Sequence, residues 1–441
     1  MQELPRRLGL IDAAAVVIGV MIGSGIFLTP NVIAQQLPSA WSMMAVWIAA
    51  GVLSLVGALA YAELGAMMPD TGGQYVYLRE AYGPLCAFLC GWAFLVVVQT
   101  GSTATLAAAF SIYLAQFVPL DPWQARLASL GLIAVLAAIN YRGVIAGARV
   151  QNLFTFLKLT GLLVVIGAAF LASAPPAAAA SGPGGFELTR FGVAMIACLW
   201  TYKGWQTLSF VVGEIREPAR NVPRSLVLGV GAVMAIYLLA NLAYLRMMPA
   251  AEIAATPRVA AAAAGRAIGS GGATLVTLTI LISIIGAANG GIMATPRLMF
   301  AQAADGLLPR RLAAVHPRFQ TPHVALVGYC LWAAVLVASG SFQTLFSYVI
   351  FTAWVFYGLT VAAVVILRRK RPHAERPYRM WGYPWTAILF VAVTAWFIAN
   401  TLVTTPGPSL AGLALVASGL PFYYYLRGRL AGKRLARGVA R

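Results

Sequence analysis

Two short stretches of the chain place helix-breaking residues in apolar surroundings. The stretch VVIGVMIGSGIFLTP (16–30) has a Gly-Ser-Gly turn at its centre and Pro30 at its end. The stretch MIACLWTYKGWQTLSFVVGE (195–214) crowds aromatic residues around Lys203 and Gly204. A helix interrupted at such a point leaves backbone amides and carbonyls without partners. These peptide groups are the first candidates for chemistry in the sequence.

The first interruption offers binding groups of both signs. If the helix unwinds at Gly23, a new half-helix begins whose positive dipole end suits a carboxylate. Its first amides are those of Ser24, Gly25 and Ile26. The carbonyls freed on the preceding half-helix are those of Met21 and Ile22, and they suit a cation.

The second interruption supplies more carbonyls. We expect them from Trp200, Thr201 and Lys203, beside Gly204. Amides for an anion next to carbonyls for a cation match the α-carboxylate and α-ammonium groups of an amino acid.

The composition predicts that both stretches lie in a membrane. Of the 441 residues, 61% are hydrophobic and 10% are charged, and the mean hydropathy is +0.82, which is too apolar for a soluble protein. A spanning helix needs about 20 apolar residues. We therefore predict an all-α integral membrane protein with 12 transmembrane helices, numbered as spans 1 to 12, at roughly 10–34, 40–67, 84–116, 125–141, 152–173, 189–212, 225–248, 271–301, 323–339, 344–367, 384–403 and 408–426.

The two interruptions fall in spans 1 and 6, which predicts two successive repeats of five spans. We expect a single domain over 1–426, followed by a basic cytoplasmic tail at 427–441. Its parts are repeat 1 at about 10–173, repeat 2 at about 189–367 and additional helices at 384–426. Broken helices at corresponding places in two halves indicate a mid-membrane binding site. Glycines that only serve helix packing are the alternative.

The net charge of +19 has the distribution of a topology signal. Most of the 31 lysines and arginines fall in the two termini and in the loops on the side of the N-terminus. This bias predicts cytoplasmic N- and C-termini in a cell membrane, with the bilayer rather than nucleic acid as the partner of the basic residues. The loops of the other face hold only Arg126, Arg190, Arg246, Arg258 and Arg266.

A lysine in span 5 needs its own explanation. Lys158 lies near the middle of NLFTFLKLTGLLVV (152–165). A lysine at a helix centre costs roughly 2.5–3.5 kcal/mol on insertion scales, so it should face the interior and have a partner. Since burial disfavours its charge, it is a candidate proton carrier or a tethered replacement for a bound cation. A lysine that snorkels from a helix end is the alternative.

Several polar residues of spans 3, 8 and 10 are candidates to complete a pocket. They are Gln99, Thr100, Ser102, Asn289, Ser347 and Thr352. Hydrogen bonds between helices are the alternative role for each of them.

Five motifs together resemble the amino acid–polyamine–organocation transporter superfamily, and most closely its L-amino-acid transporter branch, which includes bacterial serine/threonine and alanine/serine/cysteine exchangers. The resemblance covers about residues 5–425. The motifs are IGSGIFLTP, YAELGAMMPDTGGQYVYLREAYGPL, LWTYKGW, GEIREPARNVPRS and GAANGGIMATPRLMFAQAADGLLP.

This resemblance implies a five-plus-five inverted-repeat fold that works by alternating access. It implies a substrate held by the unwound parts of spans 1 and 6, at Met21, Gly23, Ser24, Gly25, Trp200 and Lys203. It also implies that Trp200 is a gate that closes over the substrate, although a packing aromatic is the alternative.

The same resemblance bears on the two lysines. In the family, a lysine at the place of Lys158 lies where sodium-coupled relatives bind Na⁺, which implies sodium independence. Lys203 departs from the family, whose close members usually carry a small, neutral or acidic residue there. If its ammonium points into the pocket, it repels cationic substrates and tolerates acidic or neutral ones. If it points away, only its backbone serves the substrate, and the sequence leaves both directions open.

The resulting hypothesis is a secondary active transporter for small or medium neutral L-amino acids, sodium-independent and either an antiporter or proton-linked. The alternative is a polyamine or cationic amino-acid exchanger of the arginine/agmatine type. An enzyme, a cofactor and a metal are not expected, because His316, His323 and His373 lie in or beside inner loops, away from a convergent acid–base set. An ion channel would need a repeated filter motif.

The resemblance also implies something about partners. Animal members of the branch are joined to a single-span glycoprotein through a cysteine between spans 3 and 4. The corresponding loop here, FVPLDPWQAR (117–126), contains no cysteine. A disulfide-linked heavy subunit is therefore not expected, and a homo-oligomer stays open.

Overall fold

A computed structural model describes residues 4–172, 187–339, 342–404 and 406–438, with the side chains of all but 342–350, 408 and 429–438. Throughout these ranges the secondary structure is helical, and the one β-type pairing is an isolated bridge between Leu8 and Ile215. The predicted all-α class is confirmed.

The described part of the chain up to residue 172 forms eight α-helices. They are α1 (Leu10–Met21), α2 (Gly25–Gln36), α3 (Ala40–Met67), α4 (Gln74–Tyr82), α5 (Pro84–Ala93), α6 (Gln99–Leu114), α7 (Pro122–Tyr141) and α8 (Val144–Leu171). A π-helical stretch, Phe94–Val98, connects α5 to α6, so that Pro84–Leu114 is one long helix.

From residue 187 onwards the described residues form eleven more. They are α9 (Leu188–Thr201), α10 (Pro218–Met247), α11 (Ala250–Ala255), α12 (Val259–Ile268), α13 (Gly271–Ala294), α14 (Pro296–Ala304), α15 (His323–Ser339), α16 (Phe342–Lys370), α17 (Trp385–Thr404), α18 (Pro406–Ala417) and α19 (Gly419–Gly438). Two 3₁₀ helices lie at Trp205–Glu214 and Arg310–Ala313.

The predicted number of twelve spans stays a prediction. Among the described residues, nine helices are long and apolar enough to cross a membrane, and ten if the bent pair α1–α2 is one span. The helix α15 has 17 residues and α9 has 14, so both fall short of a full span by length alone. The predicted twelve would require these two segments to cross as well.

The predicted break in the first span is confirmed. The helix α1 ends at Met21, α2 begins at Gly25, and the two meet at an angle of 42°. The Gly23 amide donates to the Met21 carbonyl at 2.9 Å, a turn too tight for an α-helix, so the helical ladder stops there.

The break in the sixth span is confirmed as well. The helix α9 ends at Thr201, and the chain continues from Trp205 as a 3₁₀ helix. Between them Gly204 has a φ of +138°, which favours glycine. A Cβ atom at Gly204 would lie 2.9 Å from the Met21 amide nitrogen, so the two breaks touch through their backbones.

Close packing holds the end of α1 in place. A Cβ atom on Gly19 would lie 1.9 Å from the Gln151 side chain of α8, and one on Gly290 of α13 would lie 2.3 Å from Val20. Small residues allow membrane helices to approach in this way. The helices α8 and α13 therefore fix the position of the carbonyls at the end of α1. The limits of the two repeats and of the domain stay predictions.

Candidate functional site

A cavity of about 700 Å³ lies between the two helix breaks. Its size is typical of a small-molecule site. It reaches Val32 on α2 and Thr404 at the end of α17, both exposed, so it opens at that face of the protein. Ten of the residues predicted for the site line it, namely Met21, Gly23, Ser24, Gly25, Gln99, Ser102, Trp200, Thr201, Lys203 and Gly204.

The amide end of α2 faces this cavity. Ser24 is the N-cap residue and its side chain makes no capping hydrogen bond, and Gly25 and Ile26 lie in the first turn, where α-helix geometry supplies no partner for the amides. A Cβ atom on Gly23 would meet its nearest neighbour only at 4.0 Å, so the backbone is open there. On Gly25 it would lie 2.8 Å from Thr201, so α2 rests directly against the end of α9.

The carbonyl end of α1 is already partly bonded. The Tyr237 hydroxyl donates to the Met21 carbonyl at 2.8 Å and contacts the Thr201 carbonyl at 3.3 Å. Lys158 donates to the Ile22 carbonyl at 2.7 Å. A carbonyl oxygen has two lone pairs, so the Ile22 and Thr201 carbonyls can each accept one more hydrogen bond. The Met21 carbonyl already accepts two, since the Gly23 amide also donates to it at 2.9 Å.

Lys158 lies in the interior, as expected from its depth in the span. Its ammonium donates to the carbonyls of Gly19, Ile22 and Ser283 at 2.8, 2.7 and 3.0 Å, and the residue is fully buried. A Cβ atom on Gly286 would lie 3.0 Å from Nζ, so a glycine makes room for the ammonium. Lys158 thus joins the end of α1 to α13 through carbonyl oxygens, which is the ligand set of a bound cation.

The side chain of Lys203, whose direction the sequence leaves open, points into the cavity. Its ammonium donates to the Ser102 hydroxyl of α6 at 2.9 Å, and both residues line the cavity. Ser102 in turn donates to the Val98 carbonyl at 2.6 Å, so its oxygen is free to accept. Lys203 is the one charged side chain among the described residues that line the cavity.

Other residues proposed for the site do not line the cavity. They are Ile22, Ile26, Thr100, Asn289 and Thr352, while the side chain of Ser347 lies outside the described residues. Asn289 accepts from Asn140 at 2.8 Å and donates to Gln151 at 2.9 Å, and the Thr100 hydroxyl donates to the Leu95 carbonyl at 2.6 Å. These bonds hold the side chains of Asn289 and Thr100 between packed helices, so neither residue lines the pocket. Thr352 is buried outside the cavity, and Ile22 contributes through its carbonyl.

Several polar residues at the site were not predicted. The cavity lining contains five threonines of this kind, namely Thr29, Thr103, Thr105, Thr401 and Thr404, and three further residues are Gln206, Thr207 and Tyr237. Gln206 and Thr207 line the cavity just after the second break, and a polar pair in so apolar a stretch is a signal that could have pointed to them. Tyr237 bonds to both breaks from α10. Nothing in the sequence around Tyr237 distinguishes it from Tyr244, which lies further along the same helix.

The 3₁₀ helix that follows the second break ends in contacts between distant segments. Arg297 of α14 donates to Glu214 at 2.6 Å, and both side chains are fully buried. The amides of Arg7 and Leu8 donate to the Glu214 carbonyl at 2.8 and 2.9 Å, and Arg216 donates back to Leu8 at 2.9 Å. The N-terminal segment is therefore bonded to the end of the 3₁₀ helix that follows the second break.

Comparison with known proteins identifies the family of the chain. Residues 8–424 match the family described as amino acid permease. The chain belongs to the amino acid permease family. This permease is 32% identical to the b(0,+)-type amino acid transporter 1 of Homo sapiens over 434 residues, covering 96% of the chain and 88% of that protein.

Two further relatives have the same breadth of match. The cystine/glutamate transporter of Homo sapiens is 31% identical over 435 residues, covering 96% of the permease and 85% of that protein. The large neutral amino acids transporter small subunit 2 of Rattus norvegicus is 32% identical over 436 residues, covering 96% and 80%. The predicted membership of the L-amino-acid transporter branch is confirmed. The permease is a multi-pass membrane protein that transports amino acids, and it is not an enzyme.

Proposed function

We propose that this permease is a secondary active, sodium-independent transporter of small and medium neutral L-amino acids that works by antiport or by proton-linked uptake. One observation carries the proposal: the amide end of α2 and the carbonyl ends of α1 and α9 meet in one cavity. The α-carboxylate binds the amides of Ser24, Gly25 and Ile26. The α-ammonium binds carbonyls from the set Met21, Trp200, Thr201 and Lys203.

Lys158 supports sodium independence. Its ammonium lies 2.7 to 3.0 Å from three carbonyl oxygens at the end of α1 and on α13. A sodium ion bound to the same oxygens would meet a positive charge at contact distance, which is strongly unfavourable in a buried site. We therefore assign Lys158 the place of the coupling cation, and it links the state of the first break to α13.

Alternating access is supported by the asymmetry of the cavity. It opens beside the exposed residues Val32 and Thr404, while the fully buried Glu214–Arg297 pair at the far end of the 3₁₀ helix does not line it. With cytoplasmic termini in a cell membrane, this arrangement is an outward-facing state. Trp200 lines the cavity and acts as the gate by swinging over a bound substrate.

The alternative, a polyamine or cationic amino-acid exchanger, is disfavoured by charge. The described cavity lining contains Lys203 and no aspartate or glutamate. A cationic side chain there would face an uncompensated positive charge.

For the partners, we propose the amino-acid substrate and the bilayer. A disulfide-linked heavy subunit is not part of the proposal, since the four cysteines lie in helices α5, α9 and α15. A homo-oligomer stays open.

Exchange in proteoliposomes tests this function. Purified permease is reconstituted with unlabelled amino acids inside, and uptake of labelled alanine, serine and leucine is followed in sodium and in choline buffers. We expect uptake that saturates, that requires internal amino acid or a proton gradient, and that is the same in both buffers. Conductance without saturation, or uptake only in sodium, would contradict the proposal. Liposomes without protein are the control.

A further inference from the structure

Two cations, Arg297 and Lys158, are fully buried in the described part of the permease, and a third, Lys203, is half-buried at the wall of the cavity. The three differ in how their charge is balanced. Arg297 bonds to the carboxylate of Glu214 at 2.6 Å. Lys158 has three carbonyl oxygens within 3.0 Å. Lys203 has one partner among the described residues, the Ser102 hydroxyl at 2.9 Å. A charge that is partly removed from water needs compensation, and among these three cations Lys203 has the fewest partners in the protein and faces the cavity.

The neighbours of Lys203 add hydrogen-bond donors and no negative charge. Gln206 and Thr207 also line the cavity and are fully buried. The Gln206 Oε1 atom accepts from the Gly204 amide at 3.0 Å, while its Nε2 atom has no partner among the described residues, and neither has the Thr207 hydroxyl. The lining next to Lys203 therefore offers hydrogen-bond donors and no carboxylate, and the ammonium is the charged donor there that suits a carboxylate.

We propose, resting on the function proposed above, that Lys203 binds a carboxylate on the side chain of the substrate. The site then accepts acidic amino acids of the aspartate and glutamate class in addition to neutral ones, and it prefers these acids to their neutral amides. Such a substrate has two carboxylates. One binds the amides at the start of α2, and the other binds Lys203 across the same cavity.

Charge balance sets the order of preference. An acidic side chain neutralises Lys203 in the cavity, whereas a neutral one leaves the ammonium with the Ser102 hydroxyl alone. A cationic side chain places two positive charges together and is excluded. The donation of Ser102 to Val98 keeps its oxygen turned to Lys203, so the ammonium stays in the cavity when a neutral substrate is bound.

The test uses isosteric pairs of competitors. Uptake of a labelled neutral amino acid into proteoliposomes is measured against glutamate and glutamine, and against aspartate and asparagine. We expect the acid to inhibit at a concentration at least about tenfold lower than its amide. In Lys203→Met this ratio should fall to near one, and Lys203→Arg should restore it. In Lys203→Asp, arginine should become a better competitor than glutamate. Equal inhibition by acid and amide in the wild type, or an unchanged ratio in Lys203→Met, would overturn the proposal.

A second measurement separates this proposal from the transport function and from misfolding. The thermal unfolding of each purified variant in detergent is recorded alone, with glutamate and with glutamine. We expect glutamate to stabilise the wild type more than glutamine does, and this preference to vanish in Lys203→Met. If no labelled amino acid is taken up but glutamate still stabilises selectively, the transport proposal fails and the role of Lys203 stands. If neutral amino acids are exchanged and glutamate has no selective effect, the role of Lys203 fails alone.

Discussion

The Tyr237 hydroxyl donates to the Met21 carbonyl at 2.8 Å, and the same oxygen lies 3.3 Å from the Thr201 carbonyl. One side chain of α10 thus bonds to the last residues of both half-helices at the cavity. In the proposed function these carbonyls receive the ammonium of a substrate, and the bond would then position them in advance of binding.

Removing this hydroxyl should slow transport without unfolding the protein. Tyr237→Phe keeps the ring and loses a hydrogen bond worth about 1 kcal/mol, which corresponds to roughly a fivefold lower exchange rate. Initial exchange rates in proteoliposomes measure the effect. Tyr244→Phe is the matched control, since Tyr244 is buried on the same helix and its hydroxyl has no partner among the described residues. Equal rates for the two variants would refute the role of Tyr237.

The contact between the two breaks makes Gly204 intolerant of a side chain. In Gly204→Ala the new methyl group would lie 2.9 Å from the Met21 nitrogen, at a backbone φ of +138° that costs about 1–3 kcal/mol for other residues. We expect exchange to fall at least about tenfold. Gly231→Ala, where a Cβ atom meets nothing within 4 Å, should leave exchange unchanged. The amount of each variant that remains monodisperse in detergent corrects for loss of folded protein.

Lys158 should be needed for transport but not for a response to sodium. Lys158→Met leaves the carbonyls of Gly19, Ile22 and Ser283 without their donor, so the hydrogen-bonded link between the end of α1 and α13 is lost. We expect a roughly tenfold or larger loss of exchange. Phe156→Ala, on the exposed face of the same helix, is the control. A wild-type rate that rises with sodium would contradict the role of Lys158 as a cation replacement.

The buried ion pair between Glu214 and Arg297 should contribute strongly to the stability of the protein. Glu214→Gln removes the charge that balances Arg297, and breaking a fully buried pair costs about 3–5 kcal/mol. Thermal unfolding in detergent should show a large decrease in the midpoint. Glu217→Gln is the nearby control, because Glu217 is 72% exposed and lies 3.9 Å from Arg220, so its loss costs about 0–1 kcal/mol. Similar midpoints for both variants would show that the buried pair is dispensable.

Much of the fold and part of the candidate site could be predicted from local sequence. The two breaks lie where the Gly-Ser-Gly turn and Gly204 put them, because the conformational freedom of glycine is a local property. The depth of Lys158 in an apolar run was enough to expect an interior position with a partner. The partners of Lys158 are three carbonyls, at the end of α1 and on α13, and they could not be derived from the sequence around Lys158.

The polar residues of the spans were harder to assign. Gln99 and Ser102 line the cavity, whereas Thr100 and Asn289 bond to neighbouring backbone and side chains. All four are polar residues in apolar helices, and the difference lies in which way each helix face turns. Their rotation depends on packing against residues far along the chain, which periodicity in a single helix does not encode.

The sequence by itself determined that the chain is a helical membrane protein of the amino acid permease type with two interrupted spans, since hydropathy and helix breaking act over short stretches. Only the tertiary structure decided that the two interruptions touch, that Tyr237 bonds to both, and that Lys203 turns to Ser102 in the cavity. These relationships join residues on different helices, and such contacts exist only once the bundle has packed.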